Sequence, residues 1–410
     1  MRTRVGGWRR AVGIPAASMI LAGGGISAAA IAWWATPASA TTIHVSTEAA
    51  FRAAFDSNTD DTIVLDSDIH LTSTPFCSRA TRVAANNPLT VDGQGQFKIV
   101  QDCTGFGVMR VLTPNTTNLT LRGLTITGGN LAADGAGLEF EGGALTVDHV
   151  TFLNNSTDPS SLFGNDGGGI DFEGHASMTV SDSTFSGNSA ADDGGGINCD
   201  SAGPPAARTI TVTRSTFVGN STVAGNGDSG GAIDSEHPGG GNTCSIMLTN
   251  STVTANTSGD DAAVTVEQAS DHLTLVYSSI VNNATSPASP GAAATPHAHS
   301  ADNVGQDGGS IHAENDNVAV PTANVEVPAG ANLAVFGSVL ARPHGGPNCS
   351  DTSGVALTGV VSAGYNFADD TSCGLGTATD KQGAGLDPLL GPLASNCGPT
   401  QTLLPATGSP

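Results

Sequence analysis

Short apolar bursts with a period of two recur along this chain, in step with one another. Each burst ends in a block of the form x-[ST]-[FVI]-x-x-N. The block reads HVTFLNN at 149–155, DSTFSGN at 182–188, RSTFVGN at 214–220, NSTVTAN at 250–256 and YSSIVNN at 277–283, with GLTITGG at 123–129 as a looser first copy. Five residues before each central apolar residue stands another: Leu121, Val147, Val180, Val212, Leu248 and Leu275. Two further back come Leu119, Leu145, Met178, Ile210, Ile246 and Leu273. Alternate positions of a strand share a face, so the bursts predict half-buried strands.

A second block opens each unit: DGAGLEFE (134–141), DGGGIDFE (166–173), DGGGINCD (193–200), DSGGAIDSE (228–236), DDAAVTVE (260–267) and DGGSIHAE (307–314). The distance between the two blocks varies, with GG at 142–143 but SAGPPAAR at 201–208. Fixed strands joined by loops of variable length are the mark of a solenoid. No amphipathic helix pattern separates the strands, so βαβ units are not expected. The pattern predicts an all-β parallel β-helix, each unit one coil, with like strands stacked about 4.8 Å apart.

The repeat organises the rest of the chain. Regular coils occupy 123–283, after an N-terminal cap and irregular first coils at 41–122. STEAAFRAAFDSN (46–58) predicts a short helix over the N-terminal mouth, with Ser46 as N-cap and Ala50, Phe51, Ala54 and Phe55 on one face. Ala, Pro and Ser dominate 284–306, which reads as a mobile insertion. A last coil is expected at 307–341 and a closing tail at 342–410. Asn155, Asn188, Asn220, Asn256 and Asn283 fall at one corner of successive coils, where Asn tolerates left-handed backbone and its amide can bond the Asn above and below. This column reads as a structural ladder.

Residues 1–40 read as a secretory signal peptide: Arg2, Arg4, Arg9 and Arg10, an apolar run, then Ala38-Ser39-Ala40. They hold 4 of the 14 basic residues and none of the 37 acids. The chain beyond residue 40 is strongly acidic, which excludes nucleic acid as a partner and favours cations, basic proteins or glycans. No transmembrane span is expected after signal removal. All 7 cysteines lie in the exported part, where disulfides are permitted. Cys77 with Cys103, Cys199 with Cys244 and Cys349 with Cys373 are candidate pairs, leaving Cys397; the connectivity stays open.

GGGI (194–197) and GGAI (230–233), alternating with FLNN, FSGN and FVGN, resemble the GGAI/FxxN repeats of polymorphic outer-membrane proteins. The tail motifs PNCS (347–350), GYNFADDTSCG (364–374) and DPLLGPLASNCGPTQTLLPATGSP (387–410) resemble the ends of exported choice-of-anchor β-helix proteins. The resemblance implies a right-handed β-helix of the pectin-lyase-like superfamily, which hosts lyases, hydrolases and adhesins. Cys397 stands where that tail usually has Gly.

Candidate chemistry lies in the opening block. Counted from the Ile of GGGI, the third residue on is always acidic: Glu141, Glu173, Asp200, Glu236, Glu267 and Glu314. The first residue on is Glu139, Asp171, Asn198, Asp234, Thr265 and His312; four residues before the Ile come Asp134, Asp166, Asp193, Ser229, Asp260 and Asp307. These positions point away from the core and predict an acidic outer wall. Like charges stacked in a sheet repel. The wall is either a solvated face, with the preceding Asp residues serving as turn formers, or a Ca²⁺-binding surface at Glu141, Glu173, Asp200, Glu236 and Glu267. A third reading is a glycoside hydrolase or polysaccharide lyase using Asp171, Glu173, Asp234 and Glu236. Against it, the polygalacturonase-like signatures are missing, and a lyase needs a basic residue such as Arg208 beside its metal. The sequence therefore favours a secreted or surface-associated binding module of adhesin type, with a carbohydrate-active enzyme as the alternative.

Overall fold

The computed structural model describes residues 41–410 apart from 58–60, 73–76, 84–86, 113–116, 159–164, 201–206, 224–228, 237–241, 260–261, 267–269, 286–323, 328–331, 345–346 and 351–359. The leader 1–40, nearly all of the insertion 284–306, and Glu267, His312 and Glu314 lie outside the described residues. The described residues belong to one compact unit. It is a parallel β-solenoid with one short helix.

The period-two bursts form the main sheet, of twenty strands. Its rungs keep strict register: Leu121 pairs with Val147, Val147 with Val180, Val180 with Val212, Val212 with Leu248, Leu248 with Leu275, and Leu275 with Val335. All of these are buried. Burying one such side chain contributes about 1.5–3 kcal/mol, so a file repeated coil after coil supplies much of the stability. Phe152, Phe185 and Phe217 stack beside it with centroids 5.0 and 4.6 Å apart. A second wall carries Leu138, Ile170 and Ile197 in register, continued through single bridges at Ile233 and Val264. After Val264 the position is taken by Val325 and then Cys349, not by Ile311. The strand that follows Val264 in this wall is thus Val325–Glu326; DGGSIHAE (307–314), expected to open a coil, lies outside the described residues.

The Asn column forms a buried ladder. Nδ2 of Asn155, Asn188, Asn220 and Asn256 donates to Oδ1 of the next Asn at 2.9–3.0 Å, ending on Asn283. Each Oδ1 also accepts the backbone N–H of the Asn below. The left-handed residue of the corner is not the ladder Asn but the one before it: Asn154, Gly187, Gly219, Ala255 and Asn282, with φ of 51–63°. That residue turns the chain, and the turn aims the following amide inward. The ladder runs on through Asn324 and Asn348 to Asp369. A second ladder lies beside it, in which Ser183, Ser215, Ser251, Ser278 and Ser338 each accept a backbone N–H from the coil below.

The helix spans Glu48–Phe55 and packs on the first strands, burying Phe51, Ala54 and Phe55. Its N-cap is Thr47, not Ser46: the Thr47 side chain accepts from the Ala50 N–H at 3.3 Å. Ala50 itself is exposed. At the other end, residues to Gln382 continue the main sheet. The last stretch is an antiparallel hairpin, Leu390–Ala394 with Thr402–Pro405. It does not close the mouth but lies back along the coils. Thr216 Oγ1 donates to the Gln401 carbonyl at 2.7 Å, Thr400 Oγ1 donates to the Arg214 carbonyl at 2.9 Å, and Leu403 packs with Val281, Ala341 and Phe367. Cys397 in this hairpin has φ of 65°, the backbone region that makes Gly usual there.

Candidate functional site

The opening blocks build three files on the second wall, and one of them, expected on an outer face, is buried along its described length. Glu139, Asp171, Asn198, Asp234 and Thr265 point away from the apolar core, yet each is at most 3% exposed. The reason lies in the preceding turn. Gly135, Gly167, Gly194 and Gly230 have φ of 60–66°, and a Cβ on any of them would lie 2.4–2.6 Å from an atom of the residue four positions on. The turn therefore folds back over the outward residue and roofs it. Side-chain alternation alone shows which way a residue points; it does not show the roof.

The three files have different surroundings. The Asp residues before the glycines form their own ladder. Asp134 Oδ1 accepts the Asp166 N–H at 3.1 Å, Asp166 Oδ1 accepts the Asp193 N–H at 3.0 Å, and Asp193 Oδ1 accepts the Ser229 N–H at 2.6 Å. Asp166 and Asp193 are buried. This matches the turn-forming role expected for them. In the roofed file, Glu139 is held by two ion pairs, to Arg79 and Arg110. One coil on, Asp171 and Glu173 share a hydrogen bond and have no ion pair among the described residues. Asp171 Oδ1 is buried with no hydrogen-bond partner, and so are both polar atoms of Asn198, its register neighbour. In the third file, Glu141, Glu173 and Asp200 are half-buried and Glu236 is buried.

Of the residues expected to hold a metal, the structure groups Glu173 with Asp134 and Asp171, and Glu236 with Asp166 and Asp193. Within each group the ligand atoms lie within 4.8 Å of one another. Glu141 instead pairs with Arg110 at 3.1 Å, and the buried Arg208 donates to the Asp200 carbonyl. A third group, Asp148, His149 and Asp182, of which His149 is exposed and the two Asp half-buried, was not singled out from the sequence. It is engaged by Ser181 and by Arg214, which donates two hydrogen bonds to Asp182.

Burial sets the electrostatics. Desolvation first, then Asp200, pushes Glu173 up to about 8. Glu139 rises to about 7 because burial outweighs Arg79 and Arg110. Asp171 is raised well above the usual carboxylate range by burial and then by Glu173, as Asp166 and Asp193 are by burial and their acidic neighbours. A closed site of this kind can hold protons or a cation. Of the four carboxylates considered for catalysis, Asp171, Asp234 and Glu236 are buried and Glu173 is half-buried.

The cysteines pair as 77–103, 199–244 and 349–373. The second of these ties the coil of Asn198 to the next main-sheet strand. Cys397 is free and exposed. No helix among the described residues is long and apolar enough to cross a membrane.

No curated protein matches the chain. A family model described as a pectate lyase-like adhesive domain matches residues 42–191, less than half of the chain. Over that stretch the chain is similar to this family, and the match together with the parallel solenoid supports a β-helix of the pectin-lyase-like kind.

Proposed function

We propose that the protein is an exported, surface-associated adhesive module that binds an extracellular glycan without turning it over. The observation that carries this reading is the match of residues 42–191 to an adhesive domain family on a parallel β-solenoid. Three disulfides and the A-x-A leader support export. Burial of Asp171, Asp234 and Glu236 argues against hydrolysis or elimination on this wall, since a catalytic carboxylate must touch its substrate.

A different face supports glycan binding. The chain has 2 tyrosines, Tyr277 and Tyr365, and they are 56% and 70% exposed. They flank Phe336, with ring centroids 5.0 and 6.2 Å away. Both sit at corners with φ of 51° and 60°, an unfavourable backbone for a bulky residue. Exposed amphipathic rings offer an apolar face and a hydroxyl together, the chemistry that a sugar ring meets. The test is a glycan array with the exported chain, beside the Tyr277→Ala/Tyr365→Ala double variant. Binding reduced at least about tenfold, the effect of losing about 1.4 kcal/mol, supports the proposal. Unchanged binding by the double variant, or cleavage of uronate polymers or neutral glycans, would overturn it.

A further inference from the structure

The roofed acid file changes its partners from coil to coil. At the Glu139 coil two guanidinium groups neutralise the outward carboxylate. At the Asp234 coil the Ser229 hydroxyl donates to it at 2.6 Å. Between them, Asp171 and Glu173 stand together beside Asp134, with no ion pair among the described residues. The buried Arg208 acts on both carboxylates through space but donates to the Asp200 carbonyl; buried carboxylates compensated only at a distance are costly, and two this close cannot both ionise cheaply.

Independent of charge, the site contains unused ligand atoms. Asp171 Oδ1 is buried and unbonded. Asn198 is fully buried and pairs in register with Asp171, so its amide stands over the carboxylate one rung below; neither its Oδ1 nor its Nδ2 has a partner. Buried polar groups are rarely left unbonded, and each such case calls for a ligand or an ion. Gly167 and Gly194 roof Asp171 and Asn198 in the same way, closing both from bulk solvent.

We propose that Asp134, Asp171 and Glu173, with the Asn198 carbonyl oxygen, form an internal Ca²⁺ site that clamps two successive coils. The donors are all oxygens, the set a hard cation takes. Ligand atoms within 4.8 Å of one another fit around one ion with oxygens at about 2.3–2.6 Å. Ca²⁺ suits the site better than Mg²⁺, which dehydrates reluctantly and keeps several waters that a roofed site excludes. The second buried group, Asp166, Asp193 and Glu236, differs because backbone N–H groups already serve two of its carboxylates. The clamp is a property of the isolated chain and is independent of the adhesive reading.

The experiment is thermal melting by circular dichroism of the exported chain, disulfides intact, after chelation and with about 5 mM Ca²⁺ at pH 8, above the millimolar affinities of extracellular calcium modules. At about 5 mM over a Kd of about 0.1–1 mM, Ca²⁺ stands in about five- to fiftyfold excess and should raise the midpoint by about 1–3 °C. Asp171→Asn removes an acid that burial and its acidic neighbours make costly to ionise at pH 8, so without cation it should melt higher than the parent; with Ca²⁺ the order should reverse. Glu173→Gln should lose the Ca²⁺ response, Asn198→Ala should weaken it, and Asp182→Asn, in the separate group with Asp148 and His149, should keep it. A parent chain that ignores Ca²⁺, or an undiminished response in both Asp171→Asn and Glu173→Gln, would overturn the site.

Discussion

Replacing Asn220 with Ala tests whether the coils are held by their internal ladder or by apolar burial alone. The side chain makes four hydrogen bonds. Its Nδ2 donates to Asn256 Oδ1 at 3.0 Å and to the Phe185 carbonyl at 2.9 Å. Its Oδ1 accepts from the Asn188 backbone N–H at 3.0 Å and from Asn188 Nδ2 at 2.9 Å. Asn188 Nδ2 still reaches the Phe152 carbonyl, and Asn256 Oδ1 still accepts the Asn220 N–H. The Asn188 N–H loses its side-chain acceptor in a dry interior, and the Phe185 carbonyl loses an amide donor. At about 1–3 kcal/mol for each of the two groups left unsatisfied, the variant should lose about 2–6 kcal/mol. Unfolding entropy of about 2.1 cal/mol/K per residue converts this to a midpoint lower by about 3–8 °C for the exported chain. Melting followed by circular dichroism reads it directly. Thr179→Ala, on the exposed side of the neighbouring strand, should stay within about 0.5 kcal/mol of the parent. Equal midpoints for the two variants would refute the ladder as a source of stability.

Three further outcomes rest on the same geometry. Metal-free chain should lose stability as pH rises. Glu173 binds its proton up to about pH 8 when folded but only to about 4.5 when unfolded, so its contribution is complete below 4.5 and is lost as pH passes 8; a urea midpoint series at pH 4.5, 6 and 8 checks the direction. Gly196→Ala would place a Cβ 2.4 Å from the Ala232 carbonyl of the next coil, in backbone that cannot step aside, and should cost more than about 2 kcal/mol by denaturant melting. Removing the Cys199–Cys244 bridge by a double Ser variant opens a loop of sequence separation 45 and should lower stability by up to about 4 kcal/mol, read against the oxidised parent.

Much of the architecture was legible because a solenoid repeats one solution. Period-two alternation at Val147, Val180 and Val212 defined the strands, and the recurring x-x-N block aligned the coils. The Asn ladder and the three candidate cysteine pairs came from that alignment. The roofed carboxylates did not, because pointing outward and being exposed are separate properties. Gly167 carries the difference: its positive φ folds the turn over Asp171, a contact between residues that alternation treats as unrelated. The pairing of Val325 with Val264 was not read from the sequence, because NVEV copies the opening block only loosely. The continuation of the ladder through Asn324 and Asn348 was missed for the same reason. The C-terminal hairpin was unreadable locally, since its partners Thr216 and Arg214 lie far back in the chain.

Carboxyl footprinting tests the central claim most directly, namely that in-register coils enclose the acid file. A water-soluble carbodiimide with an amine label, read by peptide mass spectrometry, reports which carboxylates meet solvent. The structure predicts fast labelling at Asp66, Asp102 and Asp387, whose side chains are 42–55% exposed, and protection at Asp166, Asp171, Asp193 and Asp234 until the chain is unfolded. Labelling of Asp171 in the folded chain at the rate of Asp66 would contradict the account.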